Sequence, residues 1–144
     1  MQRITGVNEK IRIKATIIPP NNFLANSIEY IIPKNNNYNY DFLLYSLSLL
    51  NSKLLNYFFK VFSTNSNVNG YELKSLPFIE NKEAQQPFID LVDIILIKKE
   101  RGEDSSFEEQ QIDIMVYKLF ELTYDEVKII DPEFVMSRDE FEII

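Results

Sequence analysis

From Asp41 to Lys60 the chain sets Phe42, Leu43, Leu44, Leu47, Leu50, Leu54, Leu55, Phe58 and Phe59 mostly at three- and four-residue intervals. That spacing predicts a helix over 41–60, with Asp41 able to serve as its cap. The apolar positions run around much of the circumference, so a helix here must be largely buried. Whatever else the chain forms has to pack around it.

The segments before and after this helix carry a different period. Ile11-Arg12-Ile13-Lys14-Ala15-Thr16-Ile17-Ile18 alternates apolar and polar residues and predicts a half-buried strand. Pro19-Pro20-Asn21-Asn22 ends it, because proline donates nothing to a ladder and Asn favours turns. Ser27-Ile28-Glu29-Tyr30-Ile31-Ile32 predicts a second strand closed by Pro33, and Asn35-Asn36-Asn37-Tyr38-Asn39 a loop. Residues 63–69 form a polar loop ending in Asn69-Gly70, a tight-turn signal, with residues 71–76 as one more short strand.

Beyond Lys82 the period is helical. Pro87 suits a first turn, and Phe88, Leu91, Val92, Ile95 and Leu96 form a stripe. A break at Arg101-Gly102-Glu103-Asp104 precedes a second stripe of Ile112, Met115, Val116, Leu119 and Phe120. Ser105 with Glu108, or Ser106 with Glu109, can form the capping box that starts it. Thr123 with Glu126 and Ser137 with Glu140 repeat the signature for short helices, and Asp131-Pro132-Glu133 marks a turn.

Charge divides the chain at the same place. Fourteen asparagines stand in residues 1–82 and none in 83–144. The first part holds nine Lys/Arg against five Asp/Glu, for +4, and the second six against seventeen, for −11, giving the overall −7. Asn, Lys and Arg are side chains that bond base edges and phosphates, whereas an acidic surface repels a polyanion. The organisation expected is a basic, Asn-rich part over 1–82 and a helical, acidic extension over 83–144 that packs on it.

At 144 residues and 45% hydrophobic content the chain can bury a sizeable core as one domain, or one with a helical extension. Without cysteine or histidine it has no disulfide framework, no thiolate chemistry and no imidazole base or ligand. With no signal peptide at Met1 and no apolar run near eighteen residues, a cytoplasmic protein with no membrane partner is expected.

Catalytic motifs are scarce. The glycines, Gly6, Gly70 and Gly102, form no phosphate-binding loop. Glu72-Leu73-Lys74 and Glu126-Val127-Lys128 match the Glu-x-Lys end of a nuclease metal site, but three residues recur by chance and Glu126 is explained by its capping box. Asp90 and Asp93, one turn apart, read as a solvated helix face. Catalytic and metal-ligating residues are therefore expected to be absent. Candidate nucleic-acid contacts are Asn21, Asn22, Asn26 and Ser27 in one polar loop, and Asn65, Asn67 and Asn69 in another. Arg12 and Lys14 can reach phosphate or guanine. The competing reading of each Asn is a plain turn former.

Three blocks in order carry a family resemblance: Leu49-Leu50-Asn51-Ser52-Lys53-Leu54-Leu55-Asn56-Tyr57-Phe58-Phe59, then Asn69-Gly70-Tyr71 with Leu76-Pro77, then Ile112-Asp113-Ile114-Met115-Val116-Tyr117-Lys118-Leu119-Phe120-Glu121-Leu122-Thr123. Over residues 10–131 this resembles the TaqI-like C-terminal specificity (target-recognition) domain of adenine-specific DNA methyltransferases and type IIG restriction-modification enzymes. The resemblance implies that duplex DNA and the remainder of a longer methyltransferase or restriction polypeptide are the partners. It also implies S-adenosylmethionine as the parent's cofactor, bound elsewhere with an Asn-Pro-Pro-Tyr motif. Pro19-Pro20-Asn21-Asn22 is not that motif, so no cofactor is expected in this chain. The first part of the recognition domain would precede residue 1. Lys53 is either a phosphate contact or part of a structural cap.

The expectation is an α+β fold, a small, mostly antiparallel sheet packed on the buried helix and followed by a helical acidic part. Its role would be non-catalytic, sequence-specific recognition of duplex DNA. The alternative is a protein–protein interaction module that uses the acidic helices. An acidic DNA mimic fits the net charge but not the basic front half.

Overall fold

The computed structural model describes residues 1–144 except 4, 7 and 33–38, so the expected closure at Pro33 and most of the loop 35–39 lie outside the described residues. Seven helices account for its regular structure: α1 (Tyr40–Asn51), α2 (Lys53–Phe62), α3 (Gly70–Leu73), α4 (Gln85–Arg101), α5 (Ser106–Leu119), α6 (Tyr124–Ile130) and α7 (Arg138–Ile143).

The expected α+β fold is not what forms. Among the described residues there is no sheet, and bridge pairing is confined to isolated positions: Gln2 with Ile28 in an antiparallel bridge, and Asn67. Residues 11–18 are extended, but side chains from the helices meet their backbone where a second strand would have been. Asn56 Oδ1 accepts from the N–H of Arg12 at 2.9 Å and of Ile13 at 2.8 Å. Asn51 pairs with Ala15 in both directions, its Oδ1 accepting from the N–H and its Nδ2 donating to the C=O. A backbone polar group is satisfied by any good partner, and here two amide side chains supply it. The alternation is also broken, since Arg12 and Ile13 are both buried while Ile11 is exposed.

Residues 71–76, expected as a strand, begin with α3 instead. Asn69 donates to Glu72 Oε2 through its backbone N–H at 3.0 Å and through Nδ2 at 2.9 Å. This Asn-x-x-Glu box starts a helical turn that the Asn-Gly pair alone did not announce.

The buried helix forms as two. Ser52, at φ −65° and ψ 152°, is the C-cap of α1 and the N-cap of α2. Its Oγ donates to Leu49 O and accepts from the N–H of Leu55. A serine inside an apolar run thus diverts the backbone by bonding it locally. The cap of α1 is Asn39 rather than Asp41, which lies in the first turn where its charge favours the helix dipole.

One core spans both parts of the chain. Leu44, Tyr45, Leu49, Leu54 and Leu55 from α1 and α2 meet Phe88 and Val92 of α4, Val116 and Tyr117 of α5, Val127 of α6 and Phe141 of α7. A smaller cluster of Met1, Ile13, Phe59 and Val68 holds the N-terminal segment to α2. The rear helices follow their punctuation. Gly102 ends α4 in the left-handed region at φ 68°, where a Cβ would be strained. Thr123 with Glu126 and Ser137 with Glu140 both close capping boxes. The box expected before α5 does not form, because Glu108 pairs with Lys98 and Ser105 Oγ donates to Glu109.

Candidate nucleic-acid interface

The extended segment, α2, α4, α5 and the turn after α6 enclose an open cleft of about 1110 Å³. Five lysines line it: Lys10 and Lys14 from the extended segment, Lys53 and Lys60 from α2, and Lys99 from α4. Glu109, Asp113, Asp131 and Glu133 line it as well, together with the apolar Ile13, Leu47, Val92 and Ile112. Three ion pairs join the charges: Lys10 to Glu133 at 3.3 Å, Lys53 to Asp131 at 2.6 Å and Lys99 to Glu109 at 2.8 Å. Lys14 and Lys60 make no ion pair among the described residues.

At the inner end of the cleft, Asp113 Oδ1 accepts the N–H of Lys53, an amide left without an intrahelical partner at the start of α2. Burial pushes the Asp113 carboxyl up to about 6, against the opposing pull of the Lys53 N–H and ammonium and with a further push from Asp131. Burial also raises the Tyr117 hydroxyl, helped by the charges of Asp113 and Asp131. With Ser63 Oγ, that hydroxyl is one of two buried side-chain polar atoms without a hydrogen-bond partner among the described residues.

The residues singled out by sequence fall into two sets. Arg12 is buried, Lys53 is exposed but ion-paired to the buried Asp131, and Asn69 caps α3. Arg12 is 1% exposed. Its Nε donates to Thr5 Oγ1, its Nη2 donates to Asn65 O, and its guanidinium lies 5.2 Å from the Phe59 ring centroid. It therefore fixes the 63–69 loop from beneath instead of meeting phosphate. Lys53, through both its N–H and its ammonium, joins α2 to Asp113 and Asp131.

Lys14, Asn21, Asn22, Asn26, Ser27 and Asn65 are exposed, and Asn67 is half-buried. Asn21 takes a left-handed φ of 66°, and Asn22 Nδ2 donates to Pro19 O, so this pair does serve its turn. The two Asn-bearing loops lie on either side of the N-terminal segment. The N–H of Arg3 donates to Ser27 O while its C=O accepts from Val68, and the N–H of Thr5 donates to Ser66 O. Arg3 Nη1 also donates to Asn26 O. Lys14 borders both the cleft and the hollow beside Ser27 and Ile28.

Sequence reasoning missed Lys10 and Lys60 as cleft residues and Asn56 as a backbone clamp. The partners of Asn56 and of the cleft carboxylates lie more than forty residues away in several cases, a separation with no local signature. Among the described residues no group of three His, Cys, Asp or Glu is placed to hold a metal ion, and no helix is long and apolar enough to cross a membrane. No protein-family description, curated protein or solved structure matches this chain.

Proposed function

We propose that the chain contacts duplex DNA through its front half, as the C-terminal part of the specificity domain of an adenine-specific DNA methyltransferase or type IIG restriction-modification enzyme. The observation that carries this reading is the convergence of the two amide-rich loops on Arg3, Thr5 and Gly6, near Lys14, which makes no ion pair among the described residues. Asn in pairs of loops suits base edges, and lysines along a rim suit the phosphate backbone. Lys14 and Lys60 take the phosphate role. Asn21, Asn22, Asn26, Ser27, Asn65 and Asn67 supply the polar contacts, with Arg12 acting through the loop it anchors.

The chain itself contributes orientation and sequence choice. In the parent polypeptide, S-adenosylmethionine and the methyl-transfer chemistry on a flipped adenine belong to another domain. Away from the cleft, the rear half faces that remainder. Its exposed Phe107, Ile129, Val135 and Ile143 are apolar side chains of the kind an intramolecular interface covers.

Selection from a pool of randomised duplexes by the purified chain tests the reading. A short shared sequence should be enriched, and substituting Asn65 or Asn67 by Ala should relax it at one position, by about 1–3 kcal/mol for a bidentate contact. An unenriched pool at low salt contradicts it, and a partner captured only through the acidic helices favours the interaction-module alternative.

A further inference from the structure

We propose that Glu133 and Glu109 occupy phosphate seats of the cleft, so that the chain's own acidic half competes with the DNA backbone for Lys10 and Lys99. The inference rests on the DNA-binding reading above and adds a control on its affinity.

The five cleft lysines are not equivalent. Lys14 and Lys60 make no ion pair among the described residues, so a polyanion reaching them has no carboxylate to displace. Lys53 is held by Asp131, whose side chain is 8% exposed, and its N–H serves Asp113, so this pair is part of the helix junction and stays closed. Lys10 and Glu133 are both at least 80% exposed at 3.3 Å, and Lys99 with Glu109 is about half exposed at 2.8 Å. Exposed pairs of this kind contribute little to stability and exchange readily.

A carboxylate and a phosphodiester present the same thing to an ammonium group, an anionic oxygen acceptor. A duplex lying along the rim can therefore displace Glu133 and Glu109 without disturbing the core. The displaced carboxylates would still face the phosphates, which lowers affinity and makes the interface easy to leave. Neither glutamate is needed for the fold by its charge, because glutamine keeps the acceptor that Ser105 Oγ uses on Glu109.

The test measures binding of the full chain to a labelled duplex over a salt series, comparing wild type with the Glu109→Gln/Glu133→Gln pair. A control pair, Glu80→Gln/Glu83→Gln, makes the same change in net charge away from the cleft. Freeing two lysines should steepen the salt slope by about 0.9 per added phosphate contact. The control should raise affinity without that change in slope. Adding Lys10→Ala to the cleft variant should remove the part of the gain due to Glu133. Equal slopes in the two variants would overturn the competition while leaving the DNA reading intact. Absence of duplex binding by wild type and by every variant would overturn both.

Discussion

Residues 11–15 and residues 85–143 are held by opposite means. The rear helices carry their own instructions: three-four apolar spacing, Gly102 to stop α4, and capping boxes at Thr123 and Ser137. The front segment has extended backbone with no ladder among the described residues, and two helix-borne amides, one buried arginine and a single backbone bond from Gln2 N–H to Lys14 O keep it in place. Structure in the rear is distributed over many small local terms. In the front it is concentrated in a few side chains, each joining segments dozens of residues apart.

The largest effect should come from removing one of those side chains. Asn56→Ala leaves the buried N–H groups of Arg12 and Ile13 without an acceptor. Each such group costs about 1–3 kcal/mol, so a loss of about 2–5 kcal/mol is expected in denaturant unfolding. Asn51→Ala, at an exposed clamp where water can replace the amide, should cost no more than about 1 kcal/mol. Similar costs for the two would show that the clamp is not what holds the segment.

Next in size is a gain. Asp113 has its folded pKa raised to about 6 from an ordinary 3.8, so the folded state binds the proton more tightly. Its effect on stability is therefore favourable only in acid and is lost as pH rises through roughly 4 to 6. Asp113→Asn keeps an acceptor for the Lys53 N–H and removes the buried charge. Unfolding at neutral pH should become harder by up to about 3 kcal/mol, with no gain near pH 4. A destabilised variant at neutral pH would mean that attraction to Lys53 outweighs burial.

The smallest effects should lie in the rear caps. Thr123→Ala and Ser137→Ala should each cost about 1 kcal/mol and add independently, since they start separate helices. Hydrogen bonds from Thr123 and Ser137 hold the Glu126 and Glu140 carboxyls below their ordinary range. That contribution is present at neutral pH and fades as pH falls through the acid range, opposite in sign to Asp113.

The same contrast sets what could be read from sequence. The stripes of Phe88 and Val92 and of Ile112 and Val116 are buried where the period places them, and Gly102 ends its helix. The apolar run over 41–60 is buried as expected at Leu44, Leu54, Leu55 and Phe59, but Ser52 divides it, and Leu50 and Phe58 are only half-buried. Alternation over 11–18 predicted extended backbone and was silent on its partner, because a side-chain amide can stand where a strand would. Of the site, the loop asparagines and Lys14 were legible as exposed polar groups. Arg12 was not, since a charged residue in an alternating segment gives no sign that Thr5, Asn65 and Phe59 will enclose it.

The most direct measurement is duplex affinity against salt for wild type, Lys14→Ala/Lys60→Ala, and Lys118→Ala/Lys128→Ala on the rear half. Both variants remove two positive charges. The account predicts that loss of Lys14 and Lys60 weakens binding to cognate and scrambled duplexes alike and flattens the salt slope by about 0.9 for each phosphate contact removed. Loss of Lys118 and Lys128 should leave the slope unchanged. Equal flattening by both variants, or an effect of the rear pair alone, would contradict DNA contact through the front half.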